Sequence, residues 1–282
     1  MNRFQHILLC LDPQNGPQAA LARVQTIAAV GSPRVTALHV LGDDHEGPSP
    51  EDMQAQLEAL VAPLREAGVE VSLRVVRGRP DLQIIRQVLR GRHDLVVKSI
   101  EHAHWFKRAF YGTADLHLLR KCPCPVLLVD GDRTQRVERV LVAVDLWDEE
   151  EGLALNYTCL ELGQSLALLD DAELHIVFVE RYYGGEETRA RWQALVQRWD
   201  SPKPTTRFHI LKGDPREVIP KRVDEAGIDL LVMGTVARTG IAGFLIGNTA
   251  EAIIGQLESA LLAVKPAGFV SPVTLDASEG AR

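Results

Sequence analysis

Short unbroken runs of Val, Ile and Leu alternate along this chain with segments whose apolar residues recur at helical spacing. His6-Ile7-Leu8-Leu9-Cys10-Leu11, His93-Asp94-Leu95-Val96-Val97 and Pro125-Val126-Leu127-Leu128-Val129 are runs of the first kind. They lack the apolar–polar alternation of a half-exposed strand and predict parallel strands covered on both faces. Between them, Leu57, Leu60, Val61 and Leu64 share one helical face, as do Leu82, Ile85 and Leu89. Asp214-Pro215-Arg216-Glu217 reads as a helix start, with Asp at the N-cap, Pro at the first helical position and Glu at the third. Pro220 predicts a kink just after the first turn.

The pattern then occurs a second time. His6-Ile7-Leu8-Leu9-Cys10-Leu11-Asp12 matches Arg139-Val140-Leu141-Val142-Ala143-Val144-Asp145, an apolar run closed by an aspartate. Leu38-His39-Val40 is echoed by Leu174-His175-Ile176, and Val75-Val76-Arg77-Gly78 by Ile210-Leu211-Lys212-Gly213. His93-Asp94-Leu95-Val96-Val97 pairs with Ile228-Asp229-Leu230-Leu231-Val232, and the run at Val126 with Ala260-Leu261-Leu262-Ala263-Val264. The offset stays near ~135 residues, far beyond solenoid periods, so the repeating unit is a domain. Two domains are expected at 1–133 and 134–270, joined through the polar stretch Asp130 to Gln135, with 271–282 as a C-terminal tail. Five strands interleaved with helices in each half predict an α/β fold of two tandem, open, five-stranded, doubly wound parallel sheets with right-handed crossovers.

Composition narrows the function. The chain has 282 residues, 46% hydrophobic and 24% charged, which suits packed cores rather than general disorder. A net charge of −7 argues against non-specific nucleic-acid or anionic-membrane binding. No apolar run approaches the ~20 residues of a membrane span. The apolar run after Met1 stops at Asp12, too early for a secretory signal. Four cysteines do not make a disulfide framework, and a cytoplasmic location is expected.

An open parallel sheet binds ligands beyond the carboxyl ends of its strands, where the winding reverses. In the second half that point brings together Asp145, closing the first strand, and the segment from Met233 to Glu251, which follows the fourth. Gly234, Gly240, Gly243 and Gly247 permit close backbone approach there, and a helix is expected to open near Asn248 or Thr249, favouring an anion. Spacing alone describes either a phosphate-sized site or a glycine-rich connection ending in a simple helix cap.

The stretch Gly234 to Glu251 resembles the nucleotide loop of the universal stress protein family: Gly, two residues, Gly, nine residues, then Gly followed by Ser or Thr. Gly234 and Gly247 match; Ala237 replaces the second glycine and Asn248 the Ser or Thr. Further likeness to the tandem-domain members lies in Gly240-Ile241, Gly247-Asn248-Thr249-Ala250-Glu251, His117-Leu118-Leu119-Arg120-Lys121-Cys122-Pro123, Lys265-Pro266 and Pro272-Val273-Thr274-Leu275-Asp276. The resemblance implies a cytoplasmic ligand-binding regulator of the stress response rather than a conventional enzyme. ATP, with Mg²⁺, is the expected ligand of the second half. Asp145 would contact the adenosine, and the backbone around Gly234, Thr235, Gly247, Asn248 and Thr249 would hold phosphates, with Arg238 adding a charge-assisted bond. The family also implies an internal pseudo-dimer of the two halves and is compatible with a homodimer. Two other readings stay open: a degenerate site for an amphiphilic or phosphorylated metabolite, and a weak nucleotide hydrolase.

In the first half Ser99 stands at the place of Gly234 and His102 at that of Ala237, and Glu101 would repel a phosphate. Only Gly112-Thr113 survives there, so a second ATP site is not expected. His93, His102 and His104 are a weak metal pattern. Cys122-Pro123-Cys124 is one residue short of a redox motif. The cluster Trp105, Phe106, Phe110 and Tyr111, with Lys107 and Arg108 inside it, reads as packing or as a reshaped pocket. Asp148-Glu149-Glu150-Glu151 should complement the positive end of the helix that follows the sixth strand. No dinucleotide fingerprint, P-loop or nucleophile elbow is present.

Overall fold

The computed structural model describes residues 3–14, 16–42, 49–100, 114–131, 136–146, 150–181, 185–199, 205–235 and 247–275. They fall into two units. The first runs to residue 131 and takes in the segment from Phe269 to Leu275; the second comprises residues 136–235 and 247–268.

In the first unit β1 (His6–Cys10), β2 (Arg34–Leu41), β3 (Val71–Arg77), β4 (Leu95–Ile100) and β5 (Val126–Asp130) alternate with α1 (Pro17–Gly31), α2 (Pro50–Glu66), α3 (Pro80–Gly91) and α4 (Ala114–Lys121). The strands pair in parallel in the order β3-β2-β1-β4-β5. The second unit repeats the arrangement with β6 (Arg139–Val144), β7 (Glu173–Glu180), β8 (Thr206–Lys212), β9 (Leu230–Gly234) and β10 (Ala260–Val264). Its helices are α5 (Glu150–Asp170), α6 (Glu186–Arg198), α7 (Pro215–Ala226) and α8 (Asn248–Ile254). Its order is β8-β7-β6-β9-β10, again all parallel. Winding therefore reverses between β1 and β4 in one unit and between β6 and β9 in the other.

The core follows the apolar runs. Ile7, Leu8, Leu9, Leu95, Val96 and Val97 are fully buried in the first unit, as are Val140, Leu141, Val142, Leu231 and Val232 in the second. Each such side chain contributes about 1.5–3 kcal/mol relative to exposure. On α2, Leu57, Val61 and Leu64 are buried as the spacing predicts, and Leu60 lies at the margin. On α3 the buried seam is Asp81, Ile84, Ile85 and Val88, so Leu82 and Leu89 flank it instead of forming it. Leu82 turns toward the C-terminal segment: Leu82, Arg86, Lys121, Pro272, Val273 and Thr274 line a cavity of about 400 Å³. The described part of the tail thus packs on the first unit.

Register corrects one of the sequence echoes. Cys10 pairs with Leu38, and its counterpart Ala143 pairs with Val177, so Leu38 matches Val177, not Leu174. The lag between matched residues grows by six from β1/β6 to β2/β7, and α5 has 21 residues where α1 has 15. It then shrinks by four at β3/β8, and α6 has 13 residues where α2 has 17. The two units differ by helix length while the sheet is conserved between them.

Two local devices repeat or compensate. Asp94 accepts hydrogen bonds from the amides of Gln5 and His6 at 2.7 and 3.1 Å, and Asp229 does the same for Glu138 and Arg139 at 2.8 and 2.9 Å. Each carboxylate thereby ties the start of one central strand to the start of its neighbour. Asp214 caps α7 as expected, accepting from the Arg216 amide at 3.0 Å. The helix nonetheless continues through Pro220 to Ala226. Pro220 has no N–H for the Arg216 carbonyl, and the Gln256 side-chain amide donates to that carbonyl instead at 3.0 Å.

Candidate functional site

The end of β6 is held by a side chain that sequence reading did not single out. Asn156 on α5, 6% exposed, accepts a hydrogen bond from the Asp145 amide at 3.1 Å and donates one to the Asp145 carbonyl. This two-point bond fixes the backbone where β6 leaves the sheet, while the Asp145 side chain lies exposed at the mouth of the crevice.

Gly234 is the last residue of β9, next to β6. A Cβ there would lie 2.6 Å from Leu155 Cδ2, so the glycine serves the close passage of α5 over the strand. Thr235 is wholly buried: its amide donates to the Val264 carbonyl at 3.0 Å and its hydroxyl to the same oxygen at 3.4 Å. Its own carbonyl accepts from Lys265 Nζ at 3.0 Å. With these groups bonded at the strand end, Thr235 forms part of the wall of the crevice. Lys265, 8% exposed, earns its place in the chain as the cation that closes this strand end.

Gly247, with extended backbone (φ −61°, ψ 140°), is the N-cap of α8 and makes no side-chain cap bond. The helix opens at Asn248, within the expected place, and Asn248 is its first, exposed residue. Its side chain therefore points outward from the helix start instead of satisfying it. Thr249 Oγ1 accepts a hydrogen bond at 2.7 Å from Arg181, the residue after β7. Because β7 and β9 flank β6, this bond joins the β7 end to the start of α8 over the switch point. Arg181 was also missed in the sequence, where one arginine after a strand carries no spacing signal. Arg238 lies outside the described residues.

Charge at this edge is mixed. Arg216 binds Asp214 through its side chain and its amide, holding the carboxyl down at about 2, with the Arg181 charge adding to the effect. Asp145 and Asp214 stand there with Arg181 and Arg216, a set able to receive a ligand carrying both hydroxyls and anionic groups.

The first unit uses the equivalent place differently. The Ser99 hydroxyl accepts the Ala20 amide at 3.3 Å, and Lys98 Nζ meets Asp115 Oδ1 at 2.9 Å and the Ser99 carbonyl at 3.3 Å. An ion pair thus spans from β4 to α4 where a ligand would enter. Glu101, His102, His104, the aromatic cluster and Gly112-Thr113 lie outside the described residues, as do Asp148 and Glu149. His93 is buried, its Nδ1 hydrogen-bonding the Gln87 carbonyl at 3.0 Å, and burial with the nearby His6 pushes it down to about 4. Among the described residues no group of three metal-ligating side chains converges. Cys122 and Cys124 are buried free thiols with sulfurs 3.7 Å apart, and their mutual hydrogen bond and burial hold Cys124 well above the ordinary thiol range. Such a thiol is little ionised near neutrality and is a poor nucleophile.

Comparison with known proteins adds the family. The model of the universal stress protein family matches twice, at residues 3–130 and 136–265. The chain belongs to the universal stress protein family. It is 31% identical to universal stress protein E of Salmonella typhi, over 98% of this chain and 99% of that protein. Identity to universal stress protein E of Escherichia coli K12 is also 31%, over 99% of both. Among solved structures, a functionally unknown Pseudomonas aeruginosa protein superposes with a TM-score of 0.78 at 27% identity, over 94% of each chain. A universal stress protein from Archaeoglobus fulgidus shares the fold, with a TM-score of 0.68 at 19% identity, over 93% of this chain and 96% of that one. Among the described residues no helix is long and apolar enough to cross a membrane.

Proposed function

We propose that the second unit is a nucleotide-binding module, taking ATP with Mg²⁺, and that the chain acts as a cytoplasmic ligand-binding regulator of the stress response. The observation that carries this reading is the Arg181–Thr249 bond over the β6/β9 switch point, beside the exposed Asp145. A carboxylate is suited to accept the hydroxyls of a ribose, and a guanidinium to pair with phosphate oxygens. Gly247, Asn248 and Thr249 border the same crevice, and Arg238 follows β9 in sequence. Thr235 supports the strand beneath them.

Titration calorimetry of the full chain with ATP and Mg²⁺ tests the reading. Binding should be weakened about tenfold or more by Asp145→Ala and by Arg181→Ala, the loss of one charge-assisted bond each. Absence of binding by the folded wild type would overturn the nucleotide assignment. Binding that neither substitution affects would move the site elsewhere.

A further inference from the structure

A second cluster of titratable side chains lies away from the crevice, on the sheet face of the second unit that α7 covers. His175 of β7 is 4% exposed. Its Nε2 lies 3.2 Å from Glu173 Oε2, and its Nδ1 lies 3.2 Å from His209 Nε2 on the outer strand β8. The two rings stack with centroids 5.2 Å apart and 22° between their planes. Register explains the meeting: His175 pairs with Arg207 and Val177 with His209, so all four side chains share one face.

The chain of partners fixes the protons. Glu173 can only accept when ionised, so His175 donates from Nε2 and presents a bare Nδ1. His209 must then donate from Nε2 to that Nδ1. One added proton can go to His209 Nδ1 and leave every bond intact. A second must go to His175 Nδ1, and the two imidazoles then face each other donor to donor. The groups that meet this pair are Glu173 from β7, Arg207 from β8 and Arg222 from α7; Arg207 is itself held by Glu173 at 3.0 Å. Burial and the two guanidinium charges push His209 down to about 4, and burial pushes His175 down also.

We propose that His175 and His209 form a proton-operated latch on β8, closed while no more than one ring is protonated and opened when both are. Opening would add a charge repulsion beside Arg207 and Arg222 and loosen the edge strand from β7. The physiological input would be acidification, and the output an exposed strand edge on β7.

Amide hydrogen exchange of the full chain, corrected for intrinsic rates, reads the latch directly. Between pH 7 and about pH 3, a range that carries the pair through its second protonation, the amides of β8 should lose protection by about tenfold or more, the equivalent of one unit of pKa shift, while those of β6 change far less. His209→Gln keeps a donor for His175 Nδ1 without titrating, and should flatten the response. Unchanged β8 protection, or an equal response in His209→Gln, would overturn the latch. Should that variant not fold, imidazole NMR titration of the wild type decides: β8 amide shifts must follow the second protonation step. Shifts that follow the first step, or rings that titrate at the ordinary value of 6.5, sink the proposal.

Discussion

Asn156 interrupts an otherwise apolar stretch of α5, where asparagine costs helix stability relative to leucine. Its return is the pair of hydrogen bonds to the Asp145 backbone. Asn156→Leu should therefore destabilise the chain by about 1–3 kcal/mol, because the Asp145 amide and carbonyl lose their partner, despite the better helix former. Urea denaturation measures this, and an unchanged midpoint would show that water replaces the side chain. Lys265 is the same kind of residue with a charge. Its ammonium is buried against the Thr235 carbonyl, so Lys265→Met should keep the packing and lose the bond. A loss of about 1–3 kcal/mol is expected by the same assay. Both residues sit in plain view in the sequence, yet their partners are main-chain atoms, which no residue pattern reveals. Arg181 was illegible for a related reason, since its partner Thr249 is brought close only by the strand order.

At the scale of elements, the apolar runs located every strand, but not the phase of each strand against its repeat. A strand buried on both faces has no apolar–polar alternation, so sliding it by a few residues leaves the pattern almost unchanged. That is why Leu174-His175-Ile176 imitates Leu38-His39-Val40, although register matches Leu38 to Val177. Asp94 and Asp229 were visible as repeated letters, and hydrogen bonding supplies the reason: each satisfies two amides at the start of a central strand. Asp229→Ala should cost about 1–3 kcal/mol, whereas Asp229→Asn, which keeps one acceptor oxygen, should cost less. Thermal denaturation of the two variants orders them. Equal losses would mean that the charge matters and the geometry does not. The glycine segment shows the opposite limit. Its family pattern was legible, but Gly234 is required by the Leu155 side chain, so one letter answers to packing as well as to any ligand.

For the whole molecule the displaced histidines and Asp214 bias stability in one direction on the acid side. His93 in the first unit and His209 in the second are both pushed down to about 4, from 6.5, chiefly by burial. The unfolded chain takes up these protons first, so the stability they carry is complete above 6.5 and is lost as pH falls toward 4. Asp214, held down at about 2 from 3.8 mainly by Arg216, contributes in the same sense over the next interval down. Its stabilisation is present above 3.8 and disappears as pH falls through 2. The melting temperature of the full chain should accordingly be flat from pH 8 to about 6.5, fall between there and 4, and continue downward below. Scanning calorimetry across that range tests the order of the steps. Because His93 lies in one unit and His209 in the other, both units should lose stability in the first interval. His93→Phe should reduce that loss in the first unit without altering the response of β8 amides to acid. If it abolishes both, the two histidines report one shared transition, and the latch in the second unit has no separate existence.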